Sequence, residues 1–153
     1  MGNIFHGIEP SVYKSQINVP YQWWAGETAS KYFIALRDEK KILGKQCPQC
    51  GKVYCPPKKT CPSCFTETNA WKEVGPKGKL ISYTIVLRQL AALQKKVPVA
   101  FGLICLDGAD NAMLHYIGDV DVNNITIGME VEAVFADDRN ATINAISHFK
   151  PLT

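Results

Sequence analysis

The sequence predicts a mainly β protein with an N-terminal helix, a zinc ribbon and a five-stranded barrel of the OB type. Two matched Cys-x-x-Cys turns predict the ribbon, five short β-rich runs predict the barrel, and one stretch of helical periodicity precedes both. The expected boundaries are residues 1–40 for the extension and helix, 41–74 for the ribbon, and 75–153 for the barrel. At 153 residues, 46% apolar and 20% charged, the chain has an ordinary folded composition and enough length to bury a core. Its apolar runs are short, of the kind Val97-Pro98-Val99-Ala100-Phe101, whereas a membrane span needs roughly 20 such residues. The first six residues show no basic patch followed by an apolar stretch, and His6 stands where a myristoylation signal needs Ser or Thr. A cytoplasmic location is therefore expected.

Residues 1–26 read as irregular, with Pro10 and Pro20 as breakers. Tyr21, Trp23 and Trp24 cluster just ahead of Gly26. From Thr28 to Glu39 the spacing of Tyr32, Phe33, Ala35 and Leu36 is helical, with Thr28 as the expected N-cap. This aromatic load exceeds what one face of a terminal helix can bury. Trp23, Trp24, Tyr32 and Phe33 are therefore candidate partner-binding residues. The alternative is packing back onto the same chain.

Cys47-Pro48-Gln49-Cys50 and Cys61-Pro62-Ser63-Cys64 are separated by ten residues. Two such turns facing each other set four thiolates at the corners of a tetrahedron, the shell of a structural zinc ion. Gly51 follows the second ligand, where the backbone must fold back and a positive φ is useful. Paired disulfides would need an oxidising compartment, and a redox dithiol stands alone at a helix start. Iron in a rubredoxin-like centre takes the same four ligands and stays open as an alternative metal. Cys47, Cys50, Cys61 and Cys64 would fill the shell, so Cys55 is expected as a small apolar residue of the ribbon, and Cys105 as core.

Gly75-Pro76-Lys77-Gly78 is a turn, and five strand-like runs follow: Leu80 to Leu87, Val97 to Leu106, Ala112 to Gly118, Glu130 to Ala136 and Ala141 to Phe149. Tyr83, Ile85 and Leu87 would share one face of the first run. Tyr83, Phe101, Tyr116 and Phe135 alternate as core residues would. A turn or short helical link at Asp121 to Gly128 separates the third run from the fourth, which is the layout of an OB barrel. Another small barrel or a sandwich is the alternative.

No phosphate-binding loop, Gly-x-Ser-x-Gly elbow or His-Glu-x-x-His motif is present, and His6, His115 and His148 are scattered. No catalytic residues are assigned. Charge is uneven beneath a total of +3. Residues 40–80 hold nine lysines against Glu67 and Glu73, a net of +7, whereas residues 100–153 carry a net of −6. The basic segment is either a solvated lysine surface or a face that meets an anion.

The aromatic helix Tyr32-Phe33-Ile34-Ala35-Leu36 leads into Cys47-Pro48-Gln49-Cys50-Gly51-Lys52-Val53-Tyr54-Cys55-Pro56-Pro57 and Cys61-Pro62-Ser63-Cys64. Gly78-Lys79-Leu80-Ile81-Ser82-Tyr83-Thr84 and Ile127-Gly128-Met129-Glu130-Val131-Glu132-Ala133-Val134-Phe135 come later. In this order the segments resemble the standalone proteins that join a rubredoxin-like zinc ribbon to a C-terminal OB-fold and associate with acyl-CoA enzymes. The resemblance spans about Trp23 to Pro151. Its members are partners of thiolases, of hydroxymethylglutaryl-CoA synthase, and of thiolase-like or hydratase subunits. It implies a zinc-binding subunit of a hetero-oligomer that leaves the chemistry to a thiolase-like enzyme and helps hold acyl-CoA. Coenzyme A carries several phosphate charges, and Lys58, Lys59, Arg88, Lys95 and Lys96 are the candidate residues to meet them. The competing class is a single-stranded nucleic-acid-binding protein, since zinc ribbons and OB barrels occur there too. The acidic balance of the barrel half speaks against it.

Overall fold

The computed structural model describes residues 7, 9, 11–91, 93 and 95–152. His6 and Pro10, on which expectations were stated, lie outside these residues. An extended, exposed arm covers residues 11–25 and ends at Gly26, whose φ of 84° turns the chain into helix α1, Glu27–Asp38. Gly26, not Thr28, stands at the N-cap, and no side chain caps the helix. Here the change of direction needs a left-handed backbone, which glycine adopts without strain. Glu27 in the first turn and Arg37 in the last suit the helix dipole. Tyr32, Ala35 and Leu36 form the buried stripe.

Strands β1 (Ile42–Gln46), β2 (Val53–Tyr54) and β3 (Ala70–Val74) make an antiparallel sheet in the order β2-β1-β3. Strands β4 (Lys77–Val86), β5 (Val99–Leu106), β6 (Ala112–Ile117), β7 (Glu130–Phe135) and β8 (Ile146–Pro151) close into a barrel in the order β4-β5-β6-β8-β7. This is the expected five-stranded barrel. Neighbours are antiparallel except β6 and β8, whose parallel contact is the single pair Ile117 and Phe149. A 3-10 turn at Val122–Asn124, capped by the Asp121 carboxylate, fills the link before β7.

Most strand boundaries shift by a residue or more, and three of the shifts have clear local reasons. β4 begins at Lys77, because Lys77 to Lys79 pair with β7 before the run of apolar residues starts. Leu87 lies past the end of β4 and is exposed. The last strand starts at Ile146, since Ile143–Ala145 form a 3-10 turn whose cap is Thr142.

The inward residues also differ from expectation. A register shift between Leu80 and Ser82 changes the alternation of β4, so Leu80 before it and Tyr83 and Ile85 after it face the core. In β5 the interior positions are Ala100, Gly102, Ile104 and Leu106. Phe101 and Cys105 therefore face outward, and Tyr116, paired with Phe101, does the same on β6. Small residues are needed inside because Leu80 and Ile117 already fill the barrel; a Cβ on Gly102 would lie 2.4 Å from Leu80 Cδ1 and 2.8 Å from Ile117 Cδ1.

Helix, ribbon and barrel share one apolar cluster, which runs from Tyr32 and Leu36 through Ile42, Val53 and Cys55 to Leu80, Ile104, Val131 and Phe149. Polar contacts bind the same units. The Asp110 carboxylate accepts from the Val53 amide (2.8 Å), and the Asp110 amide donates to the Val53 carbonyl (2.8 Å). Asn111 accepts from the Cys55 amide (2.7 Å) and donates to its carbonyl (2.9 Å). Arg139 donates to the Arg37 carbonyl (2.7 Å), which caps the helix end from the β7–β8 turn.

Gly102→Ala should cost about 1–3 kcal/mol, the usual penalty for overpacking, read as a lower urea midpoint. His115 is buried inside the barrel, its Nε2 3.4 Å from the Ile143 carbonyl, and burial holds its pKa below the ordinary 6.5. Below that pH the unfolded chain takes up a proton that the native state refuses, so stability falls as acid is added. In paired urea titrations at pH 7.5 and 5.5, both round figures bracketing the ordinary histidine range, His115→Gln should lose less stability on acidification than the wild type.

Candidate metal centre and docking face

The two cysteine turns are built alike. The Cys47 amide donates to the Lys52 carbonyl (2.9 Å) and the Gly51 amide to the Cys47 carbonyl (3.0 Å). In the second turn, the Cys61 amide donates to Thr66 (2.9 Å) and the Phe65 amide to Cys61 (2.9 Å). Gly51 has the positive φ expected of it, 73°. Its counterpart in the second turn is Phe65, at φ 56° and 84% exposed. A bulky residue in the left-handed region is uncommon, and here the ring points into solvent rather than into the ribbon.

The sulfurs of Cys47, Cys50, Cys61 and Cys64 all lie within 4.8 Å of one another, with Cys50 and Cys61 3.7 Å apart. A tetrahedral Zn–S shell at ~2.3 Å spaces its sulfurs at about 3.8 Å, so the cluster fits the ion. Tyr54 Oη sits 3.4 Å from Cys61 Sγ, and this hydrogen bond pulls that thiol down to about 6. Burial pushes Cys64 up to about 12. A divalent cation supplies the charge that lets all four ionise together. Four protein ligands leave no open position, which makes the site structural. Cys55 is fully buried beside Tyr32, and burial raises its thiol to about 12.

The four aromatics expected to bind a partner divide into two pairs. Trp23 and Trp24 are 74% and 77% exposed on the arm. Tyr32 is 1% exposed and lies in the shared core. The expectation of partner contact is corrected there, because positions 32, 35 and 36 form the inward stripe of α1. Phe33 is half-buried, 5.3 Å from the Tyr32 ring and packed against the core.

Trp24, Gly26 and Thr28 border a groove of about 260 Å³ with Lys45, Lys59 and Glu67. A shallower hollow of about 440 Å³ adjoins it, lined by Lys31, Ile34 and Trp71 among others. Lys31 and Lys45 place their ammonium groups 4.7 and 5.4 Å from the Trp71 ring, at cation–π range. Lys45 is only 8% exposed. Trp71, Lys31 and Lys45 were missed in the sequence, since nothing local separates these lysines from the other surface lysines.

The cations expected at a ligand fall on different units. Lys58 lies over the Tyr54 ring (5.7 Å) and Lys59 lines the groove. Lys95 lies over Tyr116 (5.1 Å) on the barrel wall, with Arg88 and Lys96 exposed in the same loop. His148 Nε2 is 3.0 Å from Asp119 Oδ2, a close but poorly directed contact. This contact holds the Asp119 carboxyl below its usual range. Gly118 makes room for the ring: a Cβ there would sit 2.6 Å from His148 Cδ2.

Residues 35–69 match the family model described as "ChsH2, rubredoxin-like zinc ribbon domain", and residues 71–136 match "ChsH2, C-terminal OB-fold domain". The chain belongs to the DUF35 family, in its ChsH2 arrangement. Its similarity to a "DUF35 domain-containing scaffold protein" of Methanocaldococcus jannaschii is 29% identity over 122 residues, covering 76% of this chain and 86% of that protein. A protein of the same description from Pyrococcus furiosus is 29% identical over 105 residues, covering 69% of this chain and 76% of the relative. Two solved structures share the fold. The structure described as "Ltp2-ChsH2(DUF35) aldolase" superposes with a TM-score of 0.64 at 17% identity, over 85% of this chain and 98% of that one. A DUF35 protein of unknown function from Sulfolobus solfataricus gives 0.61 at 20% identity, over 82% and 84%. Among the described residues of this DUF35 protein, no helix is long and apolar enough to cross a membrane.

One zinc per chain is expected by metal analysis. Cys47→Ser should release it and collapse the ribbon, read as loss of amide dispersion for residues 42–74.

Proposed function

We propose that this chain is a non-catalytic zinc-ribbon subunit that docks on a thiolase-like enzyme in a hetero-oligomer and helps position acyl-CoA. The observation that carries the docking is the arm. Val12, Tyr13, Ile17, Val19, Tyr21, Trp23 and Trp24 are all exposed along a segment that, among the described residues, forms no helix or strand and buries none of its own apolar side chains. So much apolar surface on one strip marks an interaction site, and tryptophan and tyrosine are the usual anchors. The groove beside α1 begins where Trp24 ends and continues this surface over Ile34 and Trp71. Support comes from the likeness to a structure described as an Ltp2–ChsH2 aldolase, and from relatives described as scaffold proteins.

The acyl-CoA part rests on chemistry and on the family resemblance. Lys58, Lys59, Arg88, Lys95 and Lys96 are cations of the kind that hold phosphate by charge-assisted hydrogen bonds. The chain's length and its Trp23-Trp24 segment are similar to the small subunit of benzoylsuccinyl-CoA thiolase. That likeness points to aromatic acyl-CoA breakdown, with fatty acyl-CoA as the broader class.

Trp23→Ala with Trp24→Ala should abolish co-purification of the thiolase-like subunit from the native source, while leaving the barrel intact. Undiminished recovery of that subunit overturns the docking. Charge reversal at Lys58, Lys59, Lys95 and Lys96 should raise the apparent KM for acyl-CoA of the assembled enzyme at least several-fold. An unchanged KM removes the ligand role.

A further inference from the structure

We propose that the outer wall of β5 and β6 is a stacking platform for one phosphorylated nucleoside. Phe101 and Tyr116 are register partners on these strands, with ring centroids 4.5 Å apart and planes tilted by 35°. Both rings lie on the solvent side of the barrel, because Ala100 and Gly102 occupy the inward positions beside Phe101. Phe101, Ser82, Thr84, Leu103 and Leu114 border a hollow of about 160 Å³. It offers an aromatic face, two hydroxyls and an apolar floor.

The loop between β4 and β5 brings charge to the same place. Lys95 Nζ stands 5.1 Å from the Tyr116 ring centroid. Gln89 braces the loop from within: its amide donates to the carbonyls of Leu93 (3.2 Å) and Lys95 (3.4 Å), and its oxygen accepts from the Val97 amide (3.3 Å). Arg88 and Lys96 are exposed on that loop. From Val74 to Leu106 there is no carboxylate, while Lys77, Lys79, Arg88, Lys95 and Lys96 are cationic. The acidic character of the barrel half belongs to Asp107 and the residues beyond it. At the rings themselves the cation is Lys95, with Arg88 and Lys96 on the same loop, while Lys77 and Lys79 lie at the other end of β4 beside β7 and Asp119 is the carboxylate nearest in effect to Lys95. An anion with a planar ring complements the rings and the loop cations. In a barrel of this topology, the second and third strands and the loop after the first form the ligand face.

A single nucleotide fits better than a nucleic-acid strand. A strand needs successive rings along a basic track. Here one aromatic pair is followed along the wall by Leu103 and Leu114, and one cation, Lys95, stands beside that pair. The base lies in the hollow against Phe101, and its phosphate meets Lys95 with Lys96 and Arg88. The inference shares these three cations with the acyl-CoA reading and rests on it only for the identity of the natural ligand; the platform itself follows from the two rings.

The test is calorimetric titration of the full-length, zinc-loaded chain with ADP, with amide shifts mapping the site. Binding should perturb β5, β6 and the 87–98 loop. It should weaken about tenfold in Phe101→Val and in Lys95→Ala, the cost of losing one stacking or charge contact. Ribose 5-phosphate should bind far more weakly than ADP. Lys95→Ala lies in an exposed loop, so its result stands even if Phe101→Val misfolds. Absence of ADP binding, shifts located elsewhere, or wild-type affinity in Lys95→Ala overturns the proposal. Tighter binding of a short oligothymidylate, with a steep salt dependence, replaces the nucleotide by a strand. If ADP fails while charge reversal at Lys58 and Lys59 still raises the KM for acyl-CoA, the platform falls and the proposed function stands.

Discussion

The structure depends on the joint between the β5–β6 turn and the zinc ribbon. Asp110 and Asn111 use side chain and backbone to continue the pairing of β2, meeting Val53 and Cys55 at 2.7–2.9 Å. β2 has only two residues, and a strand so short has few ladder bonds of its own. Without the turn, the amides of Val53 and Cys55 would be left without partners next to the core, at a cost of about 1–3 kcal/mol for each buried group. With it, the apolar residues of ribbon, helix and barrel merge into one cluster. The four-cysteine cluster lies at one end of the ribbon and the barrel holds the other.

Such a joint makes the folded part a single rigid object, and the arm before Gly26 is the exception. The two differ in how they are stabilised. The object buries its apolar residues against each other, whereas the arm leaves its own in water. The arm therefore has an unmet demand for burial that only another surface can satisfy. A molecule of this design presents fixed geometry at one place and an exposed apolar strip at another. Phe65, at the tip of the second cysteine turn, adds a second exposed apolar point, set on the folded part rather than on the arm.

The parts that could be read in the sequence are those whose signal is local. The four ligands announce themselves by spacing, and Gly51 by its place after the second of them. The barrel strands show through alternation and turns. The inner and outer faces of β5 could not be read in the same way. Their assignment depends on the bulge after Leu80 and on how much room Leu80 and Ile117 leave, and both are properties of the closed barrel. Large aromatics at 101 and 116 suggested an interior that in fact needed Gly102. Tyr32 and Phe33 adjoin in sequence, yet the 100° step of a helix sends one into the core and leaves the other at its edge. Lys45 became a groove residue only because Trp71 and α1 pack around it.

The barrel seam has a consequence for how the protein is made. β6 and β8 meet through one pair, Ile117 and Phe149, and Phe149 is also part of the cluster that receives Tyr32 and Leu36. Arg139 reaches back 102 residues to the end of α1. The helix packs on β1, which follows it directly, but its contacts with the Ile143–Ala145 turn and with Arg139 form only after nearly the whole polypeptide has emerged from the ribosome. Until then the nascent chain exposes the arm and part of the inner stripe of α1, and so presents more apolar surface than the finished molecule.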